Sequence, residues 1–171
     1  MTLFNIIALC AILGYLSLCL ALFGKTRTIS LSVYKWIDLF GGEQNRLSVK
    51  LGKAMFSIFG LFAPFCILLG TSQADNQIPF IIAATGLMLV GIFCLYKYST
   101  VGIMHIFGVI LAVIGVLYFV YLESLWIITV PCALFGSILC YLDRENKGYW
   151  LELTAISILF IGMALRGYFA T

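Results

Sequence analysis

The amino-acid sequence predicts an all-α, polytopic membrane protein, built as a bundle of six transmembrane helices. Of its 171 residues, 63% are hydrophobic and only 10% are charged, and the mean hydropathy is +1.12. Soluble domains carry about 25% charged residues, so this chain has too few polar side chains to cover a water-exposed surface. The composition therefore excludes a soluble enzyme, a nucleic-acid-binding protein and a disordered chain.

Six stretches are apolar for long enough to form transmembrane helices. A helix needs about 20 mainly apolar residues to cross a hydrocarbon core roughly 30 Å thick. The runs are continuously apolar, which excludes the alternating strands of a membrane barrel. The residues between them are too few for a soluble domain, so residues 1–171 are predicted to form one domain. The predicted spans are residues 3–24, 54–70, 78–95, 101–122, 125–142 and 149–165.

The boundary between the fourth and fifth spans rests on two residues. Only Glu123 and Ser124 interrupt the apolar run from residue 101 to residue 142. A single helix over that run would be about 63 Å long at 1.5 Å per residue, which is twice the thickness of the hydrocarbon core. We therefore expect a tight helical hairpin at Glu123-Ser124.

The orientation follows from the positions of lysine and arginine. Nine of the ten basic residues fall in the first, third and fifth connections, with Lys97 in the third, and Arg166 alone falls on the opposite side. Basic residues concentrate on the cytoplasmic side of membrane proteins. The count predicts a multi-pass protein of the cytoplasmic (inner) cell membrane with both termini outside.

The first connection, residues 25–53, is the only sizeable polar segment. Ile29, Val33, Trp36 and neighbouring apolar residues recur at helical spacing, and Gly41-Gly42 follows them. This pattern is typical of a short amphipathic helix that lies in the membrane interface. It predicts a cytoplasmic amphipathic loop with Trp36 at the level of the lipid headgroups.

Three basic residues at the end of this connection share one helical face. Arg46, Lys50 and Lys53 are spaced at i, i+4 and i+7. One interpretation is a binding surface for anionic lipid headgroups or for an acidic partner. The other is that these charges serve only to set the topology. Sequence alone leaves both open.

The sequence offers little for catalysis or metal binding. It has one histidine, and its six cysteines all fall within the predicted spans without a Cys-x-x-Cys pair. Intramembrane zinc hydrolases, di-iron enzymes and haem b proteins each need two or more nitrogen ligands, and the usual catalytic motifs do not occur. We expect no metal, no cofactor and no enzymatic activity.

Two ionisable residues inside the apolar spans are the candidate functional residues, because charges are costly there. His105 and Glu152 fall at similar depth near the cytoplasmic side. His105 leads a face of small residues, Gly108, Ala112 and Gly115, which is typical of close helix packing. We expect His105 and Glu152 to share a polar pocket. The alternative is that Glu152 extends to the interface and His105 bonds to a backbone carbonyl.

Part of the sequence resembles a known group of membrane proteins. The segments Gly91-Ile92-Phe93 and Val101-Gly102-Ile103-Met104-His105-Ile106-Phe107-Gly108 resemble the uncharacterised six-span proteins of bacteria and archaea that are distantly similar to the Frag1/DRAM/Sfk1 group. That resemblance implies a six-helix membrane fold with a histidine early in the fourth span and an acidic residue after the first. His105 and Asp38 fill those places. It implies no established activity.

Taken together, these features predict a non-enzymatic integral membrane protein that acts as a lipid-interacting or accessory component. Its expected partners are membrane lipids, another membrane protein or a second copy of the chain, and not a nucleic acid. A small transporter or channel is the alternative, with His105 and Glu152 lining a pocket on the cytoplasmic side. An enzyme that acts on a lipid has the least support.

Overall fold

A computed structural model describes residues 2–95 and 99–168, and all regular structure in those ranges is helical. Lys97 of the third connection lies outside the described residues. A 3-10 turn precedes α2, a π-helical turn joins α3 to α4, and a second 3-10 turn precedes α8. The helices are α1 (Thr2–Phe23), α2 (Ser32–Leu39), α3 (Arg46–Ser57), α4 (Ala63–Gly70), α5 (Ile78–Ile92), α6 (Ser99–Leu122), α7 (Trp126–Leu142) and α8 (Lys147–Leu165).

Four helical segments in the described part of the chain are long and apolar enough to cross a membrane. They are Leu3–Phe23, Arg46–Gly70, Val101–Leu122 and Arg144–Leu165, of 21 to 25 residues each. The helices α5 and α7 are also apolar but shorter, with 15 and 17 residues. The all-α class is therefore confirmed, and four of the six predicted spans meet the length requirement on their own.

Helices α5 and α6 form a tightly packed antiparallel pair, because glycines face each other along it. A Cβ atom added at Gly86 of α5 would clash with the backbone nitrogen of Ala112 of α6. One added at Gly108 would lie 2.8 Å from the carbonyl oxygen of Gly86, and one at Gly115 would lie 2.7 Å from the Cα of Ala83. The face formed by Gly108, Ala112 and Gly115 thus lies directly against α5, as small residues allow.

Helices α3 and α4 form one continuous rod that contains a π-helical turn at Ile58–Phe62. Pro64 has no N–H, so it cannot bond to the carbonyl oxygen of Gly60 four residues earlier. The Ala63 N–H donates instead to Ile58 O, five residues back. At this turn the rod touches α5, where a Cβ added at Gly91 would lie 2.6 Å from the carbonyl carbon of Gly60.

The predicted hairpin between α6 and α7 is present. Ser124 adopts a φ of 54°, a left-handed conformation that reverses the chain within a few residues. Arg166, just after α8, holds this turn through its Nε, which lies 3.1 Å from Oε2 of Glu123. Helix α7 packs against α8, where a Cβ added at Gly136 would lie 2.9 Å from Cγ2 of Thr154.

The first connection folds back against the bundle. The 3-10 turn Ile29–Leu31 and the apolar face of α2 are buried, and Trp36 is only 3% exposed. The Trp36 ring meets Phe23 edge-on, with 5.0 Å between centroids, and α2 packs against α3. This corrects the prediction for Trp36: α2 lies where the pattern indicated, but its apolar face contacts protein, so Trp36 does not reach lipid headgroups.

The glycine contacts between α5 and α6 predict that Gly86→Ala destabilises the protein. The added methyl group would force the two backbones apart, at a cost of about 1–3 kcal/mol. Gly14→Ala in α1 is the matched control, since a Cβ there meets nothing within 4 Å. Its effect should be neutral or slightly stabilising. Unfolding of the purified proteins in mixed micelles measures both, and equal stability of the two variants would contradict this packing.

Candidate functional site

A cavity of about 450 Å³ lies between the α5–α6 pair and the α7–α8 pair. Aliphatic side chains of all four helices line it, and Phe59 reaches it from the π-helical turn. The volume falls within the range of about 300–1,000 Å³ that is typical of small-molecule sites. The cavity exists because small residues face it, among them Ala83, Ala112, Ala133 and Ala155.

Glu152 and Ser30 form a polar end of this mainly apolar cavity. Oε2 of Glu152 accepts hydrogen bonds from the backbone N–H of Ile29 at 2.6 Å and of Ser30 at 3.3 Å. The Ser30 hydroxyl donates to Oε1 at 3.4 Å. Helix starts have N–H groups without intrahelical partners, so the Glu152 carboxylate caps the 3-10 turn of the first connection. Glu152 therefore does not extend freely to the interface.

A second set of hydrogen bonds ties the same turn to α1. The Ser32 hydroxyl donates to the carbonyl oxygen of Ile29 at 2.6 Å, and its oxygen lies 2.6 Å from the Tyr15 hydroxyl. A serine hydroxyl has one proton, so Tyr15 is the donor in the second bond. Tyr15, the first connection and α8 are thus joined by a short hydrogen-bonded network next to the cavity.

An ionic cluster fixes the end of the bundle beside this network. Nζ of Lys25 lies 2.7 Å from Oδ2 of Asp143, and the Trp150 indole N–H donates to the same oxygen at 3.1 Å. The Asn146 amide donates to Oδ1 at 2.9 Å. These donors, Lys25 first, lower the pKa of Asp143 to about 2. The first connection and the α7–α8 connection therefore meet at one end of the molecule.

His105 of α6 is buried, at 5% exposure, but its ring lies against the C-terminal end of α5 and does not line the cavity. Its Nδ1 lies 3.1 Å from the carbonyl oxygen of Phe93. The last carbonyls of a helix have no intrahelical partner, which explains why the ring is found there. The expectation that His105 and Glu152 share a pocket is therefore wrong, because each side chain contacts a different stretch of backbone.

The basic face predicted on α3 is exposed. Arg46, Lys50 and Lys53 all reach the surface of the structure, and α3 presents its buried residues Ser48, Gly52 and Phe56 to the bundle. This arrangement suits either interpretation, a surface for anionic groups or a determinant of topology.

The partners of Glu152 are not apparent from the sequence. Ser30 and Ser32 fall off the apolar face of the amphipathic pattern, yet both are buried, at 3% and 1% exposure. Tyr15 and Asp143 carried no signal of their own, because each is recognisable only beside its partner. The available hint was Thr28, a residue type that favours helix starts, whose hydroxyl accepts from the Leu31 N–H.

No metal site is evident in the described ranges, which contain no group of three or more His, Cys, Asp or Glu side chains placed to hold an ion. Comparison with known proteins gives no match to a family model, to a curated protein or to a solved structure. The resemblance to the Frag1/DRAM/Sfk1 group therefore stays a prediction. Function has to be inferred from the cavity and its polar end.

The Asp143 cluster predicts a specific dependence of stability on pH. Because the pKa of Asp143 falls from 3.8 to about 2 on folding, the ionised carboxylate stabilises the fold above about pH 4. That contribution is lost as the pH falls through 2. We expect Asp143→Asn to be less stable than the unaltered protein at pH 5–7, and most of this difference to be lost near pH 2.

Thermal unfolding in detergent between pH 2 and pH 7 measures this difference. Asp75→Asn, which removes an exposed carboxylate from the α4–α5 connection at the other end of the bundle, is the control. A deficit in Asp143→Asn that persists unchanged at pH 2, or an equal deficit in the control, would contradict the role given to Asp143.

Proposed function

We propose that this chain is a non-enzymatic integral membrane protein that binds the apolar chain of a lipid or similar amphiphile between its two helix pairs. The observation that carries this proposal is the cavity of about 450 Å³, with aliphatic walls from four helices and a polar end at Glu152 and Ser30. Sites for amphiphiles need this combination of an apolar body and a few placed polar groups.

We infer that all six predicted spans cross the membrane, including the short helices α5 and α7. Helix α5 lies along α6 through Gly86 and Ala83, and α7 lies along α8 through Gly136. A helix packed along a spanning helix occupies the same depth. At 1.5 Å per residue, 15 and 17 residues extend about 22 and 26 Å, and local thinning of the bilayer accommodates such lengths.

The proposed orientation keeps both termini outside the cytoplasmic membrane. The ion pair of Lys25 with Asp143 supports placing the first and fifth connections on the same side of the membrane, and the basic count assigns that side to the cytoplasm. The exposed side chains of Arg46, Lys50 and Lys53 begin the next helix from that same end. There they are proposed to contact anionic headgroups.

The transporter or channel alternative has less support than ligand binding. It depends on a polar pathway that His105 and Glu152 would line together. Only Glu152 contributes to the cavity, and its other walls are almost entirely apolar. An accessory role with a membrane partner or a second copy is compatible with binding, since many large apolar side chains of the described helices are exposed.

Labelling at Ser124 distinguishes six spans from four. With six spans, Ser124 lies outside; with only the four long spans crossing, it lies in the cytoplasm. In a variant without the six native cysteines, we expect Ser124→Cys to react with a membrane-impermeant maleimide on intact cells. Gln73→Cys should react from outside under either topology, and Gln44→Cys only after permeabilisation. A Ser124→Cys that reacts only after permeabilisation would exclude the six-span topology.

Filling the cavity should weaken the binding of an apolar chain. Ala155 of α8 lines the cavity, and Ala164 of the same helix is exposed outside it. We expect Ala155→Phe to weaken the binding of dodecanol roughly tenfold or more, since losing about 1.5 kcal/mol of apolar contact has that effect. Ala164→Phe should bind as the unaltered protein does. Native mass spectrometry from a non-ionic detergent measures both, and unchanged binding in Ala155→Phe would rule out this cavity as the site.

A further inference from the structure

The polar end of the cavity holds an acidic side chain without a basic one beside it. Among the described residues that line the cavity, Glu152 is the one with an ionisable side chain, and no lysine or arginine is among them. The nearby ionic cluster leaves Glu152 out, because Lys25 is engaged by Asp143. The carboxylate is therefore stabilised only by hydrogen bonds from neutral groups.

The two oxygens of this carboxylate are not equally engaged. Oε2 accepts two backbone N–H groups, the nearer at 2.6 Å. Oε1 accepts only the Ser30 hydroxyl, at 3.4 Å, which is long for an O–H···O bond, usually about 2.5–3.0 Å. A carboxylate has about four acceptor sites in total, so Oε1 retains capacity for a further donor.

The other polar side chains of the cavity do not compete for a ligand. The Thr154 hydroxyl donates to Trp150 O at 2.7 Å, and the Ser137 hydroxyl donates to Ala133 O at 2.7 Å. Both bonds lie within their own helices. A polar group that enters the cavity therefore finds its best acceptor at Glu152.

We propose that the ligand of this cavity is a cationic amphiphile, with one alkyl chain along the apolar walls and an ammonium group at Oε1 of Glu152. This rests on the proposed function and names its ligand class. A charged group in apolar surroundings is costly unless it is paired, and an ammonium group supplies both the opposite charge and the missing donor. A carboxylate ligand would place two negative charges side by side, and an alcohol would supply a donor without a charge.

Three probes with the same chain length test the headgroup. Dodecylamine, dodecanol and dodecanoate are each added at pH 7 to the protein in a non-ionic detergent, and binding is measured by native mass spectrometry. A charge-assisted hydrogen bond is expected to favour dodecylamine over dodecanol by roughly ten- to a hundredfold. Dodecanoate should bind more weakly than dodecanol.

Glu152→Gln is the variant that separates charge from shape. Glutamine keeps one oxygen that can accept from the Ile29 N–H, so the first connection retains a partner. We expect this variant to lose the preference for dodecylamine, because its affinity for dodecylamine should fall far more than its affinity for dodecanol. Glu145→Gln removes an exposed carboxylate from the same end of the molecule, and it should leave the preference intact.

The outcomes separate this inference from the proposed function. If dodecylamine and dodecanol bind equally and Ala155→Phe weakens both, the cavity binds chains without reading the headgroup, and the cationic ligand is overturned. If Glu152→Gln loses dodecanol as well, Glu152 only holds the first connection in place, and the inference is again overturned. If Ala155→Phe weakens neither, the proposed function itself fails.

Discussion

The contact between the Glu152 carboxylate and the backbone of the first connection is the interaction on which much of this structure depends. A chain segment that folds into an apolar bundle brings N–H groups that have lost water, and each unpaired one costs several kcal/mol. Glu152 accepts from both Ile29 and Ser30, so that turn can be buried. Once it is buried, Ser32 reaches Tyr15 of α1, and α2 packs its apolar face against α3. One carboxylate thus organises three separate parts of the chain.

Small residues have two opposite effects in the bundle, depending on what faces them. Where glycine meets glycine or alanine, as between Gly86 and Gly108, the backbones come together and no space remains. Where small residues line the space between the two helix pairs, as Ala133 and Ala155 do, the missing side-chain volume stays open. Tight packing within each helix pair keeps the helices from collapsing into the gap between the pairs.

The helical class and several helix boundaries were predictable because they depend on local properties. The length of each apolar run predicts a helix, and the dipeptides Gly41-Gly42 and Glu123-Ser124 mark where helices end. Each of these signals depends only on neighbouring residues. The site was predictable only in part. Glu152 is conspicuous as a charge in an apolar span, but its partners lie 122 and 123 residues away in sequence, and no periodicity encodes which helices become neighbours. For the same reason, the contact of His105 with the carbonyl oxygen of Phe93 could not be predicted. Nor could the sequence show whether the apolar face that contains Trp36 contacts protein or lipid.

The π-helical turn at Ile58–Phe62 changes the rotation of one half of the second long helix relative to the other half, about the helix axis. One residue added to an α-helix rotates everything beyond it by about 100°. The half that carries Arg46, Lys50 and Lys53 is therefore set at an angle, around the shared axis, to the half that packs at Cys66 and Ile67. The basic residues can point away from the protein while the apolar half packs against α1 and α5. The turn therefore rotates one half of a continuous helix relative to the other. As a result, the two halves can present their side chains in different directions.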